Sequence, residues 1–97
     1  METIHRSSKE APWFAVSRML AQAEMSAETL GVLIYLLSKP LDWLVQMKEV
    51  EAHFKIGEKQ RRRIFQEAES LGYVKKEQVR VEGRIDHIWH VFDTPEL

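Results

Sequence analysis

Gly57-Glu58-Lys59-Gln60-Arg61-Arg62-Arg63-Ile64-Phe65-Gln66-Glu67-Ala68-Glu69-Ser70-Leu71-Gly72-Tyr73 reads as one helix with a defined start and stop. Gly57 breaks what precedes it, Glu58 places negative charge at the helix N-terminus, and Gly72 stands where a left-handed residue ends a helix. Ile64, Phe65, Ala68 and Leu71 fall at spacings that share one face, which is the face for a core. Lys59, Gln60, Arg62 and Arg63 point away from it. A helix that offers Lys, Arg and Gln from its first two turns suits the DNA major groove, although arginines on an exposed helix are also common as solvated charge.

Working outward, Lys55-Ile56-Gly57 is a turn of the length that joins two helices. Before it, Met47, Val50 and Phe54 recur at spacings of three and four, a short amphipathic helix over 47–54. Leu41-Asp42-Trp43-Leu44-Val45-Gln46 reads as a loop and a short strand. Ser26 is a good N-cap for a helix that runs through Leu37 and stops before Pro40, with Glu28 favoured in its first turn. Because residues 30–37 are apolar nearly all round, that helix should be the central pillar, and Gly31 should admit a close neighbour. Pro12 to Val16 forms an extended entry, with Trp13 and Phe14 expected over one end of the core, and a short helix follows Ser17. Residues 1–11 read as a loose arm, 12–93 as the domain and 94–97 as a tail. After Gly72, Tyr73–Val81 and Ile85–Phe92 are rich in strand formers around a Glu82-Gly83-Arg84 turn, so they pair as a hairpin with a charged tip.

The 97 residues make one domain near the small end of what folds on its own core. No cysteine is present, which excludes disulfide frameworks and thiolate metal sites and fits the cytosol. No apolar run reaches membrane-spanning length, and the N-terminus lacks the apolar centre of a signal peptide. The net charge of −1 conceals an uneven distribution. Residues 1–54 hold five Lys/Arg against seven Asp/Glu, residues 55–84 hold nine against five, and the remainder has three acids alone. Positive charge is therefore gathered in the 58–71 helix and the hairpin after it. That modest footprint predicts weak, salt-sensitive binding to arbitrary nucleic acid.

Helix, strand, helix, turn, helix, hairpin is the order of an α+β winged helix-turn-helix, in which the hairpin closes the side that three helices leave open. The chain resembles the N-terminal winged-helix domains of phage and plasmid replication-initiation proteins and related prophage helix-turn-helix proteins. The likeness runs from about Trp13 to Asp93. It rests on Phe14 to Leu20, Ser26 with Leu30 to Leu37, Ser38-Lys39-Pro40-Leu41-Asp42-Trp43, Ile56-Gly57, Glu69-Ser70-Leu71-Gly72-Tyr73-Val74, and Trp89-His90-Val91-Phe92-Asp93. The resemblance implies that Lys59, Gln60, Arg62 and Arg63 meet DNA, with Arg80 and Arg84 in the wing. Two residues depart from the family pattern. Arg61 stands where a small or branched apolar residue is usual, so its stem is expected to pack while its guanidinium reaches the edge. Ala68 stands where leucine is common and suggests a tighter helix contact.

Three consecutive arginines spread over about 200° of a helix and cannot all enter one groove. Arg62 is the best base reader, since arginine binds guanine through two hydrogen bonds. Lys48, Lys59 and Arg63 suit phosphates, while Gln60 either reads adenine or is a solvated early-helix residue. Arg80 and Arg84 suit backbone or minor-groove contact, whereas Lys75 and Lys76 guard a strand edge. His87 and His90, three apart on a strand, face opposite ways and cannot chelate one ion, and His5 and His53 show no partner. No nucleophile elbow or phosphate-cradling loop is present, so neither catalysis nor a cofactor nor a small-molecule substrate is expected. The implied partner is double-stranded DNA, bound by a dimer or at repeated sites, with replication proteins joining in an initiator. A transcriptional repressor would use the same surface, and a protein-interaction module is the rival from another class.

Overall fold

The computed structural model describes residues 14–39 and 45–95. Within them lies a small α+β domain with helices α1 (Arg18–Ala21), α2 (Ala27–Leu37), α3 (Met47–Phe54) and α4 (Glu58–Ser70), then strands β1 (Val74–Val81) and β2 (Arg84–Val91). The order is as expected, except for the strand anticipated over 41–46. Residues 41–44 lie outside the described residues, and Val45 and Gln46 are irregular backbone. The 1–11 arm, Trp13, Pro40 and the end of the 94–97 tail also lie outside them. No described helix is long and apolar enough to cross a membrane.

The helix ends follow from local chemistry. Ser17 and Ser26 accept from the backbone N–H groups of Leu20 and Thr29, each at 3.3 Å, which satisfies donors that the helix cannot. At the far end of α4, Tyr73 N–H bonds the Ala68 carbonyl and Gly72 N–H bonds that of Glu69, with Gly72 at φ 87°. That pairing is a Schellman stop, and it needs the left-handed residue supplied by Gly72. The same pattern ends α3, where Ile56 N–H reaches Glu51 and Lys55 N–H reaches Ala52, but the left-handed residue is Lys55 at φ 56°. The half-buried Ile56 then turns back into the core and orients α4.

Adjacent residues of α2 enter two different clusters, because successive positions on a helix diverge by about 100°. Leu33 packs with Leu20, Ala68, Tyr73 and Val74, while Val32 packs with Val50, Ile64 and Phe65. Thus α2 is the pillar that its apolar run predicts, although Ile34 to Leu37 are half-buried rather than enclosed. Ala68 is buried in the cluster with Leu33. Two expectations need correction. A Cβ on Gly31 would lie 3.9 Å from Phe54, an ordinary contact, so no close approach depends on that glycine. Phe14 is 41% exposed and lines an open cavity with Leu20, Ile34 and Leu37, so it covers that end of the core only in part.

The hairpin is antiparallel, from Val74 opposite Val91 to Val81 opposite Arg84. Among the described residues, its base alone is anchored. Val74 is buried, and Trp89 meets Phe65 edge-on with ring centroids 5.3 Å apart. The five residue pairs beyond Lys76 and Trp89 project outward by roughly 17 Å, with nearly every side chain exposed. Glu82 and Gly83 form the two-residue turn, both at positive φ, the combination of a type I′ turn. Glutamate is poorly suited to that backbone. Glu82→Asn should stabilise the hairpin by roughly 1 kcal/mol, seen as slower amide hydrogen exchange along β1 and β2.

Candidate functional site

The first two turns of α4 present the predicted residues together. Gly57, Glu58, Lys59, Gln60, Arg62, Arg63 and Gln66 line one open concavity. Lys59, Arg62 and Arg63 are exposed and Gln60 is half-buried. Their direction follows from the opposite face, where Ile64, Phe65 and Ala68 are buried. Two of the cations carry acids. Arg62 Nη2 lies 2.5 Å from Glu58 Oε1 one turn earlier, and Arg63 Nη2 lies 3.1 Å from Glu28 Oε2 on α2. Gln60 Nε2 donates to the same Glu28 oxygen. With the two arginines 65% and 69% exposed, water and salt screen both pairs, so they are tethers rather than burial. Among the described residues, Lys48, Lys59, Arg80 and Arg84 have no ion pair.

Arg61 departs from its expected placement. Instead of reaching the edge freely, its guanidinium meets Glu51 of α3, with Nε 3.0 Å from Oε2 and both side chains nearly buried at 14% and 13% exposure. This bond fixes α3 against the start of α4 and takes Arg61 out of the exposed set.

The hairpin splits its two arginines. Cross-strand pairing of Arg80 with Ile85 and of Val81 with Arg84 puts Arg80 on the face that Trp89 shares, and Arg84 on the other. Among the described residues, neither makes a hydrogen bond or ion pair to α4. The histidines have other occupations. His90 Nε2 lies 3.6 Å from Glu77 Oε1 across the hairpin, and His53, which showed no partner in sequence, stacks on Tyr35 at 4.1 Å. His87 and His90 do lie on opposite faces.

Sequence reasoning missed a polar clasp beside this surface. The buried Thr29 donates through Oγ1 to Glu67, Ser26 Oγ donates to Glu67 Oε1 at 2.7 Å, and Ser26 N–H donates to Oε2 at 3.3 Å. The carboxylate of α4 thus caps the start of α2 from outside. Gln60, Arg63 and Glu67 recur at three and four residues, one stripe of α4 aimed at that end of α2. The stripe was visible in sequence, but nothing there named its partner.

Hydrogen bonds from Thr29 and Ser26 hold the Glu67 carboxyl below its ordinary value of 4.5, against the opposing effect of desolvation. A carboxyl lowered by folding contributes stability above its unfolded pKa and loses it as pH falls through the folded value. Wild type should therefore melt above Glu67→Gln at neutral pH, and the gap should close as pH drops below 4.5. A gap that persists in acid would mean the clasp does not depend on the charge.

Comparison with protein-family models, with curated proteins and with solved structures finds no match.

Proposed function

We propose that this chain is a winged-helix domain that binds double-stranded DNA, with α4 in the major groove and the hairpin as the wing. The observation that carries this reading is the concavity at the start of α4, where Lys59, Gln60, Arg62 and Arg63 gather on the face turned from the core. Arg62 is the base reader, Lys48 and Lys59 hold phosphates, Gln60 and Arg63 stand beside them on the same face, and Arg80 and Arg84 reach the flanking backbone or minor groove. Because the hairpin arginines face opposite ways, one of them at most meets a given strand. The mechanism is binding without chemistry. The resemblance to phage and plasmid replication-initiation proteins points to an initiator, with replication proteins as further partners, and a repressor would use the same surface.

A protein-interaction module is the second reading. It is favoured by the acids beside Arg62 and Arg63 and by exposed Val81, Ile85 and Ile88 on the hairpin. A salt titration on duplex DNA separates the two readings. DNA binding predicts affinity that falls steeply as salt rises, with log K linear in log salt. Absence of binding at low salt would overturn the DNA reading and leave the interaction module.

A further inference from the structure

Glu28 is the one acid from outside α4 that touches this surface among the described residues, and it touches two of the proposed DNA contacts at once. The Glu28 side chain is 47% exposed. It lies in the first turn of α2, whose start Ser26 caps, and the partial positive charge of a helix N-terminus favours an acid there. One oxygen, Oε2, accepts from Gln60 Nε2 and from Arg63 Nη2.

Two consequences follow from the donor and acceptor chemistry. A carboxylate only accepts, so the nitrogen end of the Gln60 amide must face Glu28, and the carbonyl oxygen and second N–H are left for a ligand. That remaining pair of groups matches the amino group and N7 of adenine in the major groove. Arg63 is held through one end of its guanidinium fork, which leaves its other N–H groups free. A phosphate brought to Arg63 must come beside the Glu28 charge and is repelled, whereas a base edge carries no net charge and is not. The same acid thus directs both side chains toward bases and away from the backbone.

We propose that Glu28 is a positioning residue that sets the sequence specificity of the DNA face, by orienting Gln60 and Arg63 for base contact and penalising their use on phosphates. This rests on the DNA reading given above. Random-oligonucleotide selection with the purified full chain supplies a preferred duplex. Affinity for that duplex and for a random-sequence duplex is then measured across a salt series for wild type, Glu28→Gln and Glu28→Asp, with thermal melts to verify folding.

Glu28→Gln should tighten binding to the random duplex by about three- to tenfold and steepen the log–log salt slope by about one, as an added phosphate contact would. Its preference for the selected duplex should fall about fivefold or more, on the scale of one weakened base contact. Glu28→Asp, which keeps the charge but shortens the reach, should lose preference without gaining random-duplex affinity. A purely structural role would weaken binding to every duplex and leave the slope alone, so that result overturns the proposal. Unchanged binding by Glu28→Gln, a gain in affinity with preference intact, or a wild type with no preferred duplex also overturns it while DNA binding stands. If neither wild type nor Glu28→Gln binds at low salt, both the proposal and the DNA reading fall. Binding that appears only in Glu28→Gln also overturns the proposal, because a wild type that binds no duplex has no preference for Glu28 to set.

Discussion

Leu33→Ala should cost about 2–5 kcal/mol of stability, the usual range for a buried leucine replaced by alanine. Leu33 is 1% exposed and packs among Leu20, Ala68, Tyr73 and Val74, where α1, α2, α4 and the hairpin base meet. No single neighbour can close the gap, because Leu20, Ala68 and Val74 belong to three different elements, each held by its own contacts. Against a total of roughly 5–15 kcal/mol for a domain, such a loss is large. It should appear as a fall in Tm on the order of 15 °C and a lower urea midpoint with an unchanged m-value. Met19→Ala is the control. Met19 is 57% exposed on α1, and its loss should stay within about 0.5 kcal/mol. Equal losses at the two positions would mean that α2 is not the pillar of this core.

Replacing Arg62 and Arg63 together by alanine should weaken duplex DNA binding on the order of 10–100-fold and make the salt slope shallower by up to about two. The range is wide because the two residues differ in role. Among the described residues, Arg62 is tethered to Glu58 of its own helix alone, so base contact releases a screened local pair. Arg63 is tied to another helix through Glu28, so its loss also frees Gln60 from a shared acceptor. Both are exposed and face away from the buried residues of α4, so the melting curve of the double variant should nearly overlay that of wild type. A double variant that binds DNA as tightly as wild type would remove α4 from the interface.

Much of this architecture was legible because its causes are local. Ser26, Gly57 and Gly72 mark helix ends through backbone conformations and hydrogen bonds that involve only a few neighbouring residues. Spacing distinguished Ile64, Phe65 and Ala68 from Lys59, Arg62 and Arg63, and the structure buries the first set and exposes the second. The hairpin itself followed from two strand-forming runs, but its turn is the two residues Glu82 and Gly83 rather than 82–84, with Arg84 already in β2 opposite Val81. Phe14 and Arg61 were misjudged for a shared reason. The burial of an end residue or an off-pattern cation depends on what another segment brings to it. Glu51 brought Arg61 a nearly buried partner ten residues away, where the sequence suggested only an apolar stem and a free tip.

The sequence by itself determined where the helices begin and end, which faces are apolar, and that positive charge is gathered after residue 55. Only the tertiary structure decided which acid meets which base or hydroxyl. Glu28 and Arg63 are 35 residues apart, and Glu67 and Thr29 are 38 apart. No periodicity links positions so distant; they meet because α2 and α4 pack side by side, with Leu33 and Ala68 in one cluster. Cross-helix charge pairing is thus set by how the apolar faces dock.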